Sequence, residues 1–227
     1  MSPEDIQDKQ HLPLKTLLET QTIPEDLLHM LAVDSAERVL QRYNSFGYRW
    51  LPNLKGAIRC KRQWLERETD DIALMQMNTR LSTQQMNLLR GPQRIGLNSP
   101  TRYVGGSVWF STFRAGKKAA LDTTAEAARA AAWIATDQKF NINESTAFLL
   151  GPPPGGPGGP GDPQFRTVWD EAFYQEQQWQ KEHLFALLNL MHEERAALLH
   201  QLQLHHSRLE QVSHGYIGTL EDSLFTG

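Results

Sequence analysis

The sequence contains a single cysteine, Cys60, among its 227 residues. One thiol excludes an internal disulfide and any site built from several thiolates. No apolar run approaches the roughly 20 residues that a membrane-spanning helix needs, so we expect no transmembrane segment. The N-terminal stretch MSPEDIQDKQ is acidic and polar and has no character of a secretory signal or a transit peptide. We therefore expect a cytoplasmic protein, including a cytoskeletal or particle-associated one.

Signatures of catalysis and cofactor binding are missing as well. The sequence has no P-loop, no G-x-S-x-G elbow, no set of kinase motifs and no zinc framework. Six of the eight histidines lie between 183 and 214, but no two of them have the spacing of three or four residues that metal ligands on one helix need. We therefore expect no catalytic residues, no cofactor and no metal, and we predict a non-enzymatic protein.

Charge and hydropathy are both modest. The net charge is -3, and the 23 basic residues are spread along the chain, so nucleic acid is not an expected partner. Apolar residues make up 40% of the chain and the mean hydropathy is -0.50, which predicts a thin core. The six tryptophans are scattered over every segment. Either they contact partner proteins, or they close a single intramolecular core.

Two helical regions are predicted in the first half of the chain. Thr22-Ile-Pro-Glu25 has the form of a capping box and predicts a helix over about 23–43. A second helical pattern runs from 54 to 90, where Gly91-Pro92 ends it, and its unusual length favours an extended molecule or a kink near Thr69. We accordingly predict an irregular N-terminal arm at 1–21 and a helical segment at 22–91.

The middle of the chain changes character twice. Residues 92–121, here called the aromatic arm, mix Gly, Ser, Pro and Asn with aromatic residues, and we predict an extended arm that lays aromatic anchors into pockets. The predicted anchors are Tyr103, Trp109, Phe110 and Phe113. An alanine-rich helical segment at 122–150 then opens with a second capping box, Thr123-x-x-Glu126. Its Trp133 is predicted to contact a partner.

The last third of the chain begins with a Gly/Pro spacer at 151–163, which is too short and too rich in glycine for a collagen triple helix. We predict that it tethers a long C-terminal helix and tail at 164–227. Apolar residues recur there at alternating spacings of three and four, as in a coiled coil. This apolar seam, at positions 184–216, is predicted to pack against a partner helix. Its predicted partner-binding residues are Leu184, Leu188, Met191, Leu198, Leu202, Leu209 and Val212.

One short stretch resembles a known group of proteins. Arg195-Ala-Ala-Leu-Leu-His-Gln-Leu202, followed by a helix rich in Leu, Glu and Gln, resembles the short helical repeats of proteins that line the inside of ciliary doublet microtubules. The glutamates and the tyrosine usual in that repeat are replaced by Leu204, His206 and Ser207. The resemblance implies a ciliary doublet-microtubule inner protein as a second alternative function.

Together these patterns predict a mainly α fold, an extended multi-helix chain with an irregular aromatic arm and a coiled-coil-like C-terminal helix. The leading functional hypothesis is a structural or accessory subunit that binds and stabilises a large multi-protein assembly, such as a filament, an organelle complex or a virus particle. The first alternative is a soluble coiled-coil adaptor that forms a homodimer through residues 184–216.

Overall fold

The computed structural model describes residues 9–44, 51–90, 100–140 and 163–224, and side chains at 9–43, 53–87, 100–140 and 163–201 except 195 and 199. These ranges hold seven α-helices and no strand, which confirms the mainly α class. The Gly/Pro spacer lies outside them except for Pro163. The helices are α1 (Leu14–Thr20), α2 (Glu25–Asn44), α3 (Leu51–Leu65), α4 (Asp71–Arg90), α5 (Pro100–Ser111), α6 (Gly116–Phe140) and α7 (Pro163–Leu224).

The chain divides into two compact units, Met1–Leu184 and Phe185–Gly227. In the first unit α2 packs against α3, α5 and α6, and α5 packs against α6. The core between these helices contains large side chains from α2, such as Val39, Leu40 and Tyr43, together with Val104 and Val108 of α5. In the described ranges, none of the helices combines the length and the apolar content required to cross a membrane.

Small side chains explain how a chain of modest hydropathy closes a core. Helix α6 buries seven alanines, which bring its backbone close to its neighbours without a large apolar volume. They are Ala119, Ala120, Ala127, Ala128, Ala130, Ala131 and Ala132, and Ala36 of α2 belongs to the same core. The predicted thin core is therefore a closely packed one in the first unit.

The first helices differ from the prediction at their starts. Residues 14–20, predicted as part of an irregular arm, form α1, which buries Leu14, Leu17 and Leu18. Helix α2 begins at Glu25 and matches the predicted helix within two residues. The side chain of Glu25 does not serve a local capping box, because its Oε1 accepts a hydrogen bond from the Gly116 N–H at 3.0 Å.

The predicted kink near Thr69 is a complete break between α3 and α4. Arg67 adopts a positive φ of 60°, a conformation that ends a right-handed helix. Asp70 starts the next helix, since its Oδ1 accepts a hydrogen bond from the Ala73 N–H at 2.8 Å. Trp64 Nε1 donates to Asp71 Oδ1 at 2.8 Å and links the two helices across the break.

The prediction of an extended aromatic arm is wrong for residues 100–111, which form helix α5. Its Gly105 and Gly106 suggested a loop, but both are buried. The amide of Gln85 occupies the space that a Cβ at Gly105 would need, and the Glu126 carboxylate lies 3.1 Å from the position of a Cβ at Gly106. The glycines therefore allow close helix packing instead of a turn.

Helix α6 begins at Gly116, about two turns before the predicted capping box at Thr123. Thr123 is fully buried in the helix interior, and Thr124 Oγ1 donates to the Ala120 carbonyl at 2.7 Å. The distant carboxylate of Glu25 satisfies the N–H of Gly116 and so replaces a local cap. Helix α7 likewise starts at Pro163, ahead of Thr167.

Candidate interaction site

The apolar seam lies on α7, and its residues differ in exposure. Leu184, the last residue of the first unit, is fully buried. In the second unit Leu188 is buried, Met191 is half-buried and Leu198 is 57% exposed. Only the helical backbone is described at Leu202, Leu209 and Val212.

The second unit presents further apolar surface. From Phe185 to Leu224 it is one α-helix, which at 1.5 Å per residue is about 60 Å long. Leu190, outside the seam, is 55% exposed. Leu190 and Leu198 are exposed, in contrast to the buried Leu188, so this part of the helix is stabilised when it packs against another helix.

The predicted aromatic anchors contact one another within the first unit. Trp109 and Phe110 are stacked with ring centroids 4.8 Å apart, and Phe113 meets both rings edge to face. Tyr103 and Trp109 are partly buried and pack against the core. These rings are therefore placed largely by their own chain.

The tryptophans outside the aromatic arm are also sheltered to different degrees. Trp133 is 8% exposed and meets Phe165 edge to face at 5.6 Å. The side chains of Trp64, Trp169 and Trp179 are half-buried, and Trp50 lies outside the described side chains. The interpretation that the tryptophans close an intramolecular core therefore applies most clearly to Trp133.

Helix α4 carries a second apolar surface that the sequence analysis did not single out. Its inward face buries Leu74 and Leu81, whereas Ile72, Met75 and Met86 are exposed by 64%, 53% and 39%. Ile72, Met75 and Met86 are separated by three and eleven residues, which places them along one stripe of a helix. The stripe adjoins a groove of about 340 Å³ lined by Met75, Thr79 and Phe113, among others.

A buried carboxylate joins α7 to α2. The Oε2 atom of Glu176 lies 3.2 Å from Arg38 Nε and 2.9 Å from Arg42 Nη1, and the glutamate is fully buried. Burial raises the pKa of Glu176, although the charges of Arg42 and Arg38 oppose that shift. Arg38 also lies over the Trp179 ring at 4.2 Å. These contacts fix the start of α7 against α2.

A second polar link lies one to two turns away. His183 Nε2 lies 2.7 Å from Asp34 Oδ2, and Arg62 of α3 contacts both Asp34 and Glu37. Burial alone would raise the pKa of Asp34, but the hydrogen bonds from His183 and Arg62 lower it. These contacts join α2, α3 and α7 in one ionic network. The side chains of Asp34, Glu37 and Arg62 are 17%, 34% and 40% exposed.

Two basic side chains are buried near the start of α2 and the end of α3. Lys61 is fully buried, donates to the Phe113 carbonyl at 3.1 Å, and lies 3.8 Å from the centroid of the Trp64 ring. Burial lowers the pKa of Lys61 to about 7. His29 is 1% exposed, and burial, assisted by the charge of Lys61, lowers the pKa of His29 to about 4.

The surroundings of His29 and Lys61 were compared with the requirements of a metal site. Within the described part of the chain, no group of three or more His, Cys, Asp or Glu side chains is placed to hold a metal ion. The thiol of Cys60 is half-buried, and burial raises its pKa, which disfavours the thiolate that binds metal.

Sequence reasoning missed large polar residues that are fully buried, namely Lys61, His29, Glu176 and Gln180. The sequence does not mark them, because each is buried by helices that are distant in sequence. The spacing of four residues between Arg38 and Arg42, and between Glu176 and Gln180, indicates only that each pair shares one helix face.

Comparison of the chain with known protein families, with curated proteins and with solved structures gives no match.

Proposed function

We propose that this chain is a non-enzymatic structural or accessory subunit that binds other proteins of a large assembly, in the cytoplasm, through apolar helix surfaces. The observation that carries the proposal is the exposed Leu198 on a helix whose apolar residues follow a coiled-coil spacing. A leucine of that exposure gains free energy when a partner helix removes it from water.

The contrast between the two units supports this proposal. The first unit buries its own core and anchors the start of α7 through Glu176, whereas the second unit is a helix with exposed Leu190 and Leu198. The exposed leucines of the second unit suit a helix that packs against a partner helix. The exposed stripe of Ile72, Met75 and Met86 on α4 offers a second contact for an assembly with several subunits.

The test is purification of the tagged full chain from its native cells, with quantification of the proteins that copurify at fixed stoichiometry. Leu198→Lys places a charge in the seam, and we expect it to reduce the stoichiometric partner at least about tenfold. His200→Lys adds the same charge at an exposed position on the helix face opposite the seam and should leave the partner in place. Equal recovery with both variants would contradict the proposal.

The first alternative, a homodimeric coiled-coil adaptor, is favoured by the same seam. Light scattering of the purified chain distinguishes it, because a homodimer has twice the mass of the 25.9 kDa chain. In that case Leu198→Lys converts the dimer to a monomer and His200→Lys does not. The ciliary alternative rests on residues 195–207, whose side chains lie mostly outside the described part of the chain.

A further inference from the structure

We propose that the exposed stripe of α4 binds an amphipathic helix of another protein, and that this helix carries an acidic residue at the edge of its apolar face. The α4 stripe consists of the exposed side chains Ile72, Met75 and Met86. The inference rests on the proposed function, because it names the chemistry of the partner at the second contact surface. It concerns the first unit alone.

The exposed face of α4 carries almost no charge. From 72 to 87 it presents the three apolar side chains of the stripe, four neutral polar side chains and one charged residue, Arg80. The neutral ones are Gln76, Thr79, Thr83 and Asn87. The centres of protein interfaces are likewise depleted in Lys, Glu and Asp and enriched in Met and Arg. The composition of this face is therefore typical of an interface and not of a solvated helix.

A groove beside the stripe offers room for one side chain of the partner helix. Its volume is about 340 Å³, and Met75, Thr79 and Phe113 are among the residues that line it. The Phe113 ring is held edge to face against Trp109 and Phe110, so this wall is in place before a partner binds. A helix lying along α4 would place apolar residues on the stripe and one of them in the groove.

Arg80 determines the charge that the partner needs. It lies about two helical turns after Ile72, at the edge of the stripe. Among the described residues it takes part in no ion pair. The exposed face from 72 to 87 contains no acidic residue, so a second copy that packed the same face against it would bring no anion to Arg80. A different protein with an acidic residue at that edge supplies the complementary charge.

The test uses two designed helical peptides of about 20 residues, a length at which an isolated helix forms in water. Both have leucines at spacings of three and four along one face, and the edge of that face carries a glutamate in one peptide and a lysine in the other. In calorimetric titration of the full chain, we expect the glutamate peptide to bind roughly three- to tenfold more tightly, because the lysine is repelled by Arg80. If neither peptide binds saturably, or if both bind equally, the proposal is wrong.

Variants locate the binding on α4. Arg80→Gln should remove the preference for glutamate, whereas Arg166→Gln, at an exposed position of α7, should retain it. Met75→Gln should weaken both peptides by about tenfold because it removes apolar contact area. Met30→Gln, at an exposed methionine of α2, should not. All four positions are exposed, so circular dichroism should show unchanged helix content. An Arg80→Gln protein that keeps the full preference would overturn the proposal.

Two further results separate this inference from the proposed function. If light scattering shows self-association of the wild-type chain that Met75→Gln prevents, a second copy occupies the α4 stripe and the inference is wrong. If Met75→Gln binds both peptides as the wild type does while Leu198→Lys still removes the stoichiometric partner, the α4 site fails and the proposed function stands.

Discussion

The Nζ atom of Lys61 lies 3.8 Å from the centroid of the Trp64 ring. This buried amine contacts the face of the ring and donates a hydrogen bond to the Phe113 carbonyl at 3.1 Å. Neither is an anion, so burial dominates and lowers the pKa of Lys61 to about 7. A lysine in this setting makes the free energy of unfolding depend on pH.

The first prediction concerns Lys61→Met. The unfolded lysine binds its proton below its ordinary pKa of 10.5, while the folded one does so only below about 7. The free energy of unfolding therefore falls as pH decreases through this window, by about 2 kcal/mol from pH 9.5 to 7.5. Urea denaturation at both values should show this decrease in the wild type and little of it in Lys61→Met.

Lys118→Met is the matched control for this experiment. The Lys118 side chain is 59% exposed and pairs with Asp122 on the same helix. This variant should keep the wild-type difference between pH 9.5 and 7.5. A Lys61→Met protein with the full wild-type difference would show that Lys61 keeps its ordinary pKa in the folded chain.

The second prediction concerns acid stability and His29. Burial lowers the pKa of His29 from 6.5 to about 4, so the unfolded chain binds a proton in this interval that the folded chain does not. Stability should therefore decrease by roughly 3 kcal/mol between pH 6.5 and 4 on account of this residue. His29→Gln should remove that part of the decrease in urea denaturation, whereas His200→Gln, at an exposed position, should not.

The third prediction concerns the buried carboxylate that joins α2 and α7. Glu176→Gln removes the negative charge that Arg38 and Arg42 contact. Because the two arginine side chains are 33% and 41% exposed and can regain water, we expect a loss of about 1–3 kcal/mol and not more. Denaturation midpoints measure it, and Glu171→Gln at an exposed position is the control.

A double-mutant cycle with Arg42→Gln separates the ion pair from other effects of the Glu176 substitution. The combined variant should lose less stability than the sum of the two single variants, by about 0.5–1 kcal/mol or more. Strict additivity would mean that Glu176 and Arg42 do not interact measurably.

The fourth prediction compares two glycines. A Cβ at Gly116 would lie 3.0 Å from the Glu25 carbonyl oxygen, so Gly116→Ala should destabilise the chain by about 1–2 kcal/mol. A Cβ at Gly56, within α3, would meet nothing within 4 Å. Gly56→Ala should therefore stabilise by about 0.5–1 kcal/mol through helix propensity alone. Thermal unfolding should shift in opposite directions, and equal shifts would contradict the packing argument.

The sequence predicted those helices that are marked by capping residues or apolar spacing within their own segment. The helix over 23–43 was predicted from local capping and apolar patterns, and it is present although Glu25 bonds to Gly116 instead of forming the predicted cap. The kink near Thr69 was one of two alternatives suggested by the length of the 54–90 pattern, and the chain breaks there. Helix α5 was missed because Gly105 and Gly106 have poor helix propensity, which is outweighed here by close packing against Gln85 and Glu126. Tertiary packing, and not local propensity, makes residues 100–111 helical.

The polar interior was beyond sequence reasoning for a related reason. Lys61 belongs to a run of charged residues that is typical of a solvated helix face, and its burial depends on tertiary neighbours such as Phe113. Glu176 and Gln180 lie in a helix rich in polar residues, so local composition does not reveal which face is buried. Their burial depends on how α7 packs against α2 and α6.

The hydrogen bond between Gly116 and Glu25 ties the first turn of α6 to the first turn of α2, 91 positions earlier. The start of α6 therefore depends on a residue of α2 as well as on its own local sequence. Lengthening the connections between them should leave the starts of both helices unchanged, whereas a fragment that begins after Glu25 would deprive α6 of the carboxylate that accepts from its first N–H. Residues 25–140 are therefore the shortest fragment that contains both helices whole and keeps this hydrogen bond.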